Sequence, residues 1–161
     1  GQALWDELFE KGQDLQVRPG CPNAIERIES GLFSLGNDMG MDTTPMEACL
    51  EQYVDLDADV NSLSLPALRR LTPSKRLMGF VLDTDAIITD NQLTINGTDV
   101  GEIRSLCWSP KYGVYMAFVL CYLEPLGNNL EVVVNTSSGQ EKGKLCSLPF
   151  DFPALGLKPA K

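Results

Sequence analysis

Residues 100–109, VGEIRSLCWS, and residues 114–122, VYMAFVLCY, are two β-rich runs connected by the turn sequence SPKYG, and they decide the fold class. The second run is apolar at almost every position, which is typical of a central strand buried on both faces. Further short runs of this kind lie at 76–82, 86–90, 92–97, 130–134 and 143–150. Asn96-Gly97 is a strong hairpin signal. This spacing predicts a small antiparallel barrel or sandwich over residues 76–150.

Residues 1–60 differ from the strand-rich part because their apolar residues recur at helical spacing. The opening helix is predicted from Leu4, Trp5, Leu8 and Phe9, with Gly12 placed to end it. A second helix is predicted to have Pro22 at its first position and to give way near Gly31 to an extended or turning segment. Its apolar stripe would comprise Cys21, Ile25, Ile28 and Leu32.

A third helix is predicted over residues 43–54. Thr44 and Glu47 have the spacing of a capping box, and Pro45 suits the first helical position. Its apolar face would comprise Met46, Cys49, Leu50 and Tyr53. The fold class is therefore α+β: a helical segment at 1–60, a linker with one short helix at 61–75, an antiparallel barrel at 76–150 and a loosely held tail at 151–161.

Composition narrows the chemistry that the chain can perform. Its 161 residues carry a formal net charge of −9 and include no histidine. Nucleic acid is not an expected partner, because phosphate contacts need clustered Lys and Arg. The lack of histidine excludes Ser-His-Asp and Cys-His catalysis and leaves zinc without an imidazole ligand. We expect no metal site and no catalytic residue within these residues.

Cysteine content and hydropathy indicate a compartment. The five cysteines form no CxxC pair and mostly lie in apolar runs, so reduced buried thiols in a cytoplasmic protein are expected. No apolar run approaches the ~20 residues that span a bilayer, so no membrane association is expected. The chain opens directly on a helix without an initiator Met, and we expect it to be part of a longer protein.

Two charged groups allow a functional and a structural interpretation. Asp55, Asp57 and Asp59 alternate as in part of a calcium loop, but the Gly and the distal Glu of that loop are absent, which favours solvated carboxylates. The basic group comprises Arg69, Arg70, Lys75 and Arg76. It is interpreted as a solvated linker face, with contact to an anionic ligand tail as the alternative.

Four segments together resemble one protein family. NAIERIESGLFSLGNDM at 23–39, followed by DTTPMEACL at 42–50, is similar to the aminomethyltransferase (glycine cleavage T-protein) family, which has Arg-x-Glu-x-Gly-Leu, a Gly-Asn-Asp turn and Thr-Thr-Pro-x-Glu-Ala in this order. VGEIRSLCWSP at 100–110 and GKLCSLPF at 143–150 resemble strands of its C-terminal barrel. Asn23 and Ala24 stand where the T-protein pattern has Arg and Asp, and the dimethylsulfoniopropionate demethylase-like branch resembles the chain more closely.

The resemblance implies a function for the intact protein. It would be a tetrahydrofolate-dependent one-carbon transferase, moving a methyl from a sulfonium such as dimethylsulfoniopropionate, or an aminomethyl group, to the folate. Residues 1–60 would be the C-terminal part of an α/β folate-binding domain. Because the family's key carboxylate lies in an N-terminal part that these residues lack, the chain alone is expected to be inactive.

The resemblance also implies three candidate cofactor-binding residues: Asn23, Arg27 and Glu29. Trp108 is a fourth candidate because it follows a strand and precedes Ser109-Pro110, where a face of the barrel could cover a pocket. For Arg27 and Glu29 a buried ion-pair network is the structural alternative, and for Trp108 it is packing in the core. Asn37 and Asp38 are expected to shape a turn. Two other functions remain open: a folate-binding protein without transferase activity, and a glycine-cleavage aminomethyltransferase.

Overall fold

The computed structural model of the chain describes residues 1–17, 20, 23–127 and 130–159. The helices are α1 (Gln2–Lys11), α2 (Ala24–Glu29), α3 (Leu65–Leu68) and α4 (Leu123–Leu126). The strands are β1 (Lys75–Leu82), β2 (Gln92–Ile95), β3 (Thr98–Ser109), β4 (Val114–Tyr122), β5 (Glu131–Thr136) and β6 (Gly139–Cys146). No helix in the described residues has the length and apolar character needed to cross a membrane.

The six strands form a closed antiparallel barrel in the order β1-β4-β3-β2-β5-β6. This confirms the barrel and the central place of β4, which pairs with β1 and β3. Asn96 and Gly97 both have positive φ, as a tight hairpin turn between β2 and β3 requires. The strand predicted at 86–90 is wrong, because this segment makes only a single bridge, from Ile88 to Thr136.

Two apolar cores lie on opposite faces of the barrel wall. The interior core includes Phe80, Leu93, Val100 and Val119. The outer core, beneath α2 and the C-terminal segment, includes Ile28, Leu77, Met116, Phe118 and Phe150. Side chains alternate along β4, so its odd-numbered residues 115–121 face the interior and its even-numbered residues 114–118 face the outer core.

A β-bulge at Arg104 changes which face the residues of β3 present. Ile103 pairs with Val119 and the next pair is Ser105 with Phe118, so Arg104 is the extra residue. Ile103 therefore belongs to the interior core, whereas Cys107, three pairs further on, belongs to the outer core. Bulges re-aim side chains in this way, and this one turns the odd-numbered residues at 105–109 toward α2.

Helix α2 begins two residues later than the Pro22 prediction implies. Ala24 is its first helical residue, whereas Pro22 and Cys21 lie outside the described residues. The helix ends after Glu29, where Gly31 takes a φ of +69°. The predicted exit near Gly31 is thus confirmed. Placing Leu32 on the apolar stripe is wrong, since it lies beyond the last helical turn and is exposed.

The helix predicted over 43–54 is also wrong. The capping box forms, with the Glu47 N–H donating to Thr44 Oγ1 at 3.3 Å and the Thr44 N–H donating to Glu47 Oε2 at 3.1 Å. Only one turn follows, and a short 3₁₀ helix occupies Glu51–Tyr53. The Leu77 N–H donates to the Glu47 carbonyl at 2.6 Å, an acceptor that a continuing helix would use itself.

The C-terminal segment is packed rather than loosely held. Phe150 lies over Gly79 of β1, where a Cβ would come within 2.6 Å of the phenyl ring. Phe152 stacks on Tyr112 with ring centroids 4.2 Å apart. Leu155 and Leu157 contact the same outer core. Residues 150–157 therefore complete the outer core beside α2.

The cysteines that the structure describes are all free thiols, as predicted. Burial raises the pKa of Cys107 and Cys146 to about 11 and that of Cys121 to about 12. Cys21 lies outside the described residues. These thiols are packing residues that stay protonated near neutral pH.

Candidate functional site

Arg27 connects α2 to two other parts of the fold. Its guanidinium donates through Nη1 to Asp38 Oδ2 at 2.5 Å and to the Leu32 carbonyl at 3.1 Å. Through Nη2 it donates to Ser105 Oγ on β3 at 2.7 Å. The guanidinium carbon also lies 5.6 Å from the centroid of the Phe118 ring. Arg27 is thus held from several directions, as the ion-pair alternative requires.

Asp38 is the counter-charge of Arg27, and its side chain is 0% exposed. Besides the ion pair, it accepts hydrogen bonds from the Ser34 N–H at 2.7 Å and from the Ser105 hydroxyl. A buried carboxylate is tolerated only when it is both paired and hydrogen-bonded. Asp38 therefore does more than shape the turn, and it fixes the 34–38 segment against α2 and β3.

Glu29 lies one helical turn from Ile25 and reaches the far end of β3. The hydroxyl of buried Ser109 donates to Glu29 Oε1 at 2.6 Å and accepts from the Tyr112 N–H at 3.2 Å. Glu29 is half-buried, and no contact within the described residues engages its second carboxylate oxygen. That oxygen is therefore available to accept from a group outside the described residues.

Asn23 is the N-cap of α2, and its side chain is used locally. Its Oδ1 accepts from the Glu26 N–H at 2.9 Å, and the Asn23 N–H donates to Glu26 Oε2 at 3.2 Å. This reciprocal capping box starts the helix that carries Arg27 and Glu29. Its position is exposed, so the cap occupies the carboxamide oxygen without burying the residue.

Trp108 lies apart from the other three candidates. It stands between Cys107 and Ser109 in β3, and because side chains alternate along a strand it points away from Glu29. It packs edge-on against Tyr115, with ring centroids 5.1 Å apart, in an open cleft beside Thr84 and Asp85. The structure thus places Arg27 and Glu29 on the same helix, α2, with Asn23 as its N-cap. Trp108 lies apart from these three residues.

Sequence reasoning missed Ser105 and Ser109 and assigned Asp38 too small a role. One signal was present: an Arg on a short helix over an apolar face needs an acidic partner, and Asp38 lies eleven residues along the chain. The two serines became partners only because of the bulge at Arg104. Arg104 itself donates to the Asn37 carbonyl at 3.2 Å, which holds the same turn from outside.

The basic group at 69–76 is largely structural. Arg69 donates to the carbonyls of Leu56 and Ala58 at 2.6 and 3.0 Å, which closes the 56–69 loop. Arg76 pairs with Glu51 at 3.0 Å, with both side chains about half exposed. Asp55 accepts from the Asp57 N–H, as a local turn does. The described residues contain no group of His, Cys, Asp and Glu able to hold a metal ion.

Comparison with known proteins places these features in a family. The chain is 37% identical over 120 residues to the dimethylsulfoniopropionate demethylase DmdA of Ruegeria pomeroyi, over 73% of the chain and 33% of that protein. It is 33% identical to the aminomethyltransferase of Synechococcus sp. strain RCC307, over 93% of the chain and 42% of that protein. The chain belongs to the aminomethyltransferase family. No family model matches it.

The solved structures agree with this assignment. The glycine cleavage system aminomethyltransferase T from Bartonella henselae superposes with a TM-score of 0.64 and 25% sequence identity. The match covers 78% of this chain and 37% of that one. The resemblance drawn from the Arg27-containing segment and the barrel strands is thereby confirmed. The chain spans 33–42% of the length of the demethylase and the two aminomethyltransferases.

Proposed function

We propose that the chain is the C-terminal part of a tetrahydrofolate-dependent one-carbon transferase that, when intact, removes a methyl group from a sulfonium such as dimethylsulfoniopropionate. The observation that carries the proposal is the 37% identity to a dimethylsulfoniopropionate demethylase over 73% of the chain. Residues 1–60 would contribute one wall of an α/β folate-binding domain, 61–75 a linker and 76–150 the barrel that supports it.

The geometry of α2 fits a supporting wall rather than a complete site. Arg27 donates to three acceptors of its own chain, so its role would be to hold the turn and the helix in place. Glu29 retains one carboxylate oxygen with no partner among the described residues. A pterin ring carries N–H donors, and that oxygen is a suitable acceptor for them.

In this geometry Asn23 and Trp108 are weaker candidates for contact with the folate than Glu29 is. Within the part of the chain that the structure describes, no hydrogen bond engages the amide nitrogen of Asn23, while its oxygen caps α2. Trp108 offers an exposed ring edge in the cleft beside Asp85, on a different face of the barrel. Either contact would require the folate to extend beyond the face that Glu29 presents.

Bound tetrahydrofolate would supply the nitrogen that accepts the one-carbon unit. The contribution of this chain would be positioning, which carries much of the rate in a transfer between two bound molecules. A sulfonium is a good leaving group and lowers the demand for an acid or base, which is compatible with a chain that has no histidine. The reactive carboxylate would lie in polypeptide outside these residues.

An aminomethyltransferase of the glycine cleavage system is the second candidate. It is favoured by the 33% identity to a Synechococcus aminomethyltransferase over 93% of the chain. Both candidates use the same wall, so they differ in the donor and not in the role of α2. A folate-binding protein without transfer activity is the third outcome that an experiment must separate.

The test uses the full-length protein that contains these residues. Folate-dependent loss of methyl from dimethylsulfoniopropionate is measured beside glycine cleavage, and tetrahydrofolate binding is measured by calorimetry. We expect demethylation and not glycine cleavage. Glu29→Gln should weaken folate binding, whereas Glu26→Gln on the exposed side of the same helix serves as the matched control. Folate binding without either activity would refute the transferase proposal, and folate binding by the 161-residue chain alone would refute the supporting-wall interpretation.

A further inference from the structure

The described residues expose their large apolar side chains very unevenly. Of the fifteen large apolar side chains that are exposed in the described residues, eleven lie before residue 64. Single exposed apolar residues are normal, but clustered ones mark surfaces that contact another molecule. The barrel and its C-terminal segment contribute only Ile87, Leu106, Trp108 and Leu130. Within the described residues, most of the exposed apolar surface therefore lies before residue 64.

Part of this surface is a groove next to α2. Its walls are residues 30–33, 39, 49–50, 52–53 and 148–149, and its volume is about 470 Å³. Leu32 and Tyr53 both line it and are 51% and 77% exposed. Leu35, bridged to Met39 at its edge, is also exposed. We call this feature the 30–53 groove.

The uncharged lining of the 30–53 groove indicates what kind of molecule it binds. None of the eleven residues that line it is charged, although 22% of the chain is Asp, Glu, Lys or Arg. Such a lining favours an apolar polypeptide segment over a charged ligand, because a charge placed there would lose its water without a counter-charge. Burying the exposed parts of Leu32, Leu35 and Tyr53 would stabilise such a contact.

We propose that the 30–53 groove binds a segment of the same protein that lies outside these residues, with the exposed face of α1 as a second contact of that polypeptide. This proposal rests on the proposed function, in which the chain is one part of a longer protein. The relatives are more than twice as long as the matched region, so polypeptide of sufficient size exists in the family. The docked segment would lie beside Glu29, because Ser30, the next residue in the chain, lines the groove.

The experiment compares side-chain labelling by hydroxyl radicals in the 161-residue chain and in the full-length protein. Tyr53 and Leu32 should lose most of their labelling in the full-length protein. Ile87, 65% exposed on the barrel, should label equally in both. The two tryptophans give a matched optical pair: Trp5, 51% exposed on α1, should lose its acrylamide quenching in the full-length protein, and Trp108, 37% exposed, should keep it.

A charge placed in the groove gives a second, independent readout. Leu32→Glu in the full-length protein should restore labelling of Tyr53, whereas Ile87→Glu should not. Equal labelling of Tyr53 in the two proteins overturns the proposal. Protection of Tyr53 that grows with the concentration of the 161-residue chain alone also overturns it, because the occupant would then be a second copy. No folate or substrate enters these measurements, so their failure is distinguishable from a failure of the proposed activity.

Discussion

Replacing Arg27 with alanine should destabilise the fold through the carboxylate that it leaves behind. Asp38 is 0% exposed and would keep only the Ser34 N–H and the Ser105 hydroxyl as partners. Removing one member of a buried pair costs about 3–5 kcal/mol, because an uncompensated charge remains. Since the Arg27 side chain is 19% exposed, water can reach part of the space, and we expect the lower end, about 3 kcal/mol.

The assay is urea unfolding followed by circular dichroism, supported by thermal melts. For a chain of this size, about 3 kcal/mol corresponds to a decrease in Tm of roughly 6–12 °C. Arg76→Ala is the matched control, because Arg76 and Glu51 form a pair whose side chains are about half exposed. Exposed pairs contribute about 0–1 kcal/mol, so the control should differ little from the parent chain.

A double-mutant cycle tests the reasoning directly. Asp38→Asn removes the buried charge, so Arg27→Ala combined with Asp38→Asn should lose less stability than the two single changes add up to. We expect a coupling energy of at least about 1 kcal/mol, the scale found for residues in one network. Strict additivity to within about 0.5 kcal/mol would show that Asp38 does not depend on Arg27, and the buried-pair argument would then be wrong.

Three further predictions concern the supports of the site. Asn23→Ala should lower the free energy of unfolding by about 1 kcal/mol through loss of the helix cap, while Asn23→Asp should retain most of it, as measured by urea unfolding. Burial raises the pKa of Glu47, but hydrogen bonds from Thr44 and Ser74 and the charge of Lys75 together outweigh it and set the pKa below its ordinary value. This stability is present above about pH 4.3 and lost as the pH falls through the lowered pKa, so Glu47→Gln should flatten the acid limb of urea midpoints between about pH 3 and 6. Gly79→Ala should cost about 1–3 kcal/mol because its Cβ would lie 2.6 Å from the Phe150 ring and 2.7 Å from Cys146 Sγ. In thermal melts, Phe150→Leu should cost less in this variant than in the parent chain.

The barrel could be predicted because its signals are local to each strand. The β4 run is apolar on both faces, and Asn96-Gly97 supplies the two positive φ values of a tight hairpin. The prediction of a helix at 43–54 failed because of an amide thirty residues away. The Leu77 N–H donates to the Glu47 carbonyl, so that carbonyl is not available to a continuing helix. Local capping chemistry gives no information about such a competitor.

The candidate site also has a part that could be predicted from the sequence and a part that could not. Arg27 and Glu29 were selected from a motif, and both lie at the interface between α2 and the barrel. Asp38, Ser105 and Ser109 were not, because their contact with α2 depends on chain reversal and on strand register. Trp108 was grouped with α2 from its position near a turn, but alternation along β3 directs it to another face.

The bulge at Arg104 makes the wall beneath α2 depend on the pairing register of β3 with β4 and not only on the identity of the residues in β3. A substitution at position 104 leaves the phase of the strand unchanged, so Ser105 and Ser109 would keep their acceptors. Deletion of that single residue would leave Ile103 opposite Val119 and Ser105 opposite Phe118 in a regular ladder, so both hydroxyls would stay on the α2 face. Pairing of Arg104 itself with Phe118 would instead invert the phase, carrying both hydroxyls toward the barrel interior and Leu106 and Trp108 toward Arg27. A change that forces Arg104 into the ladder is therefore far more consequential for the protein than an exchange of the side chain there.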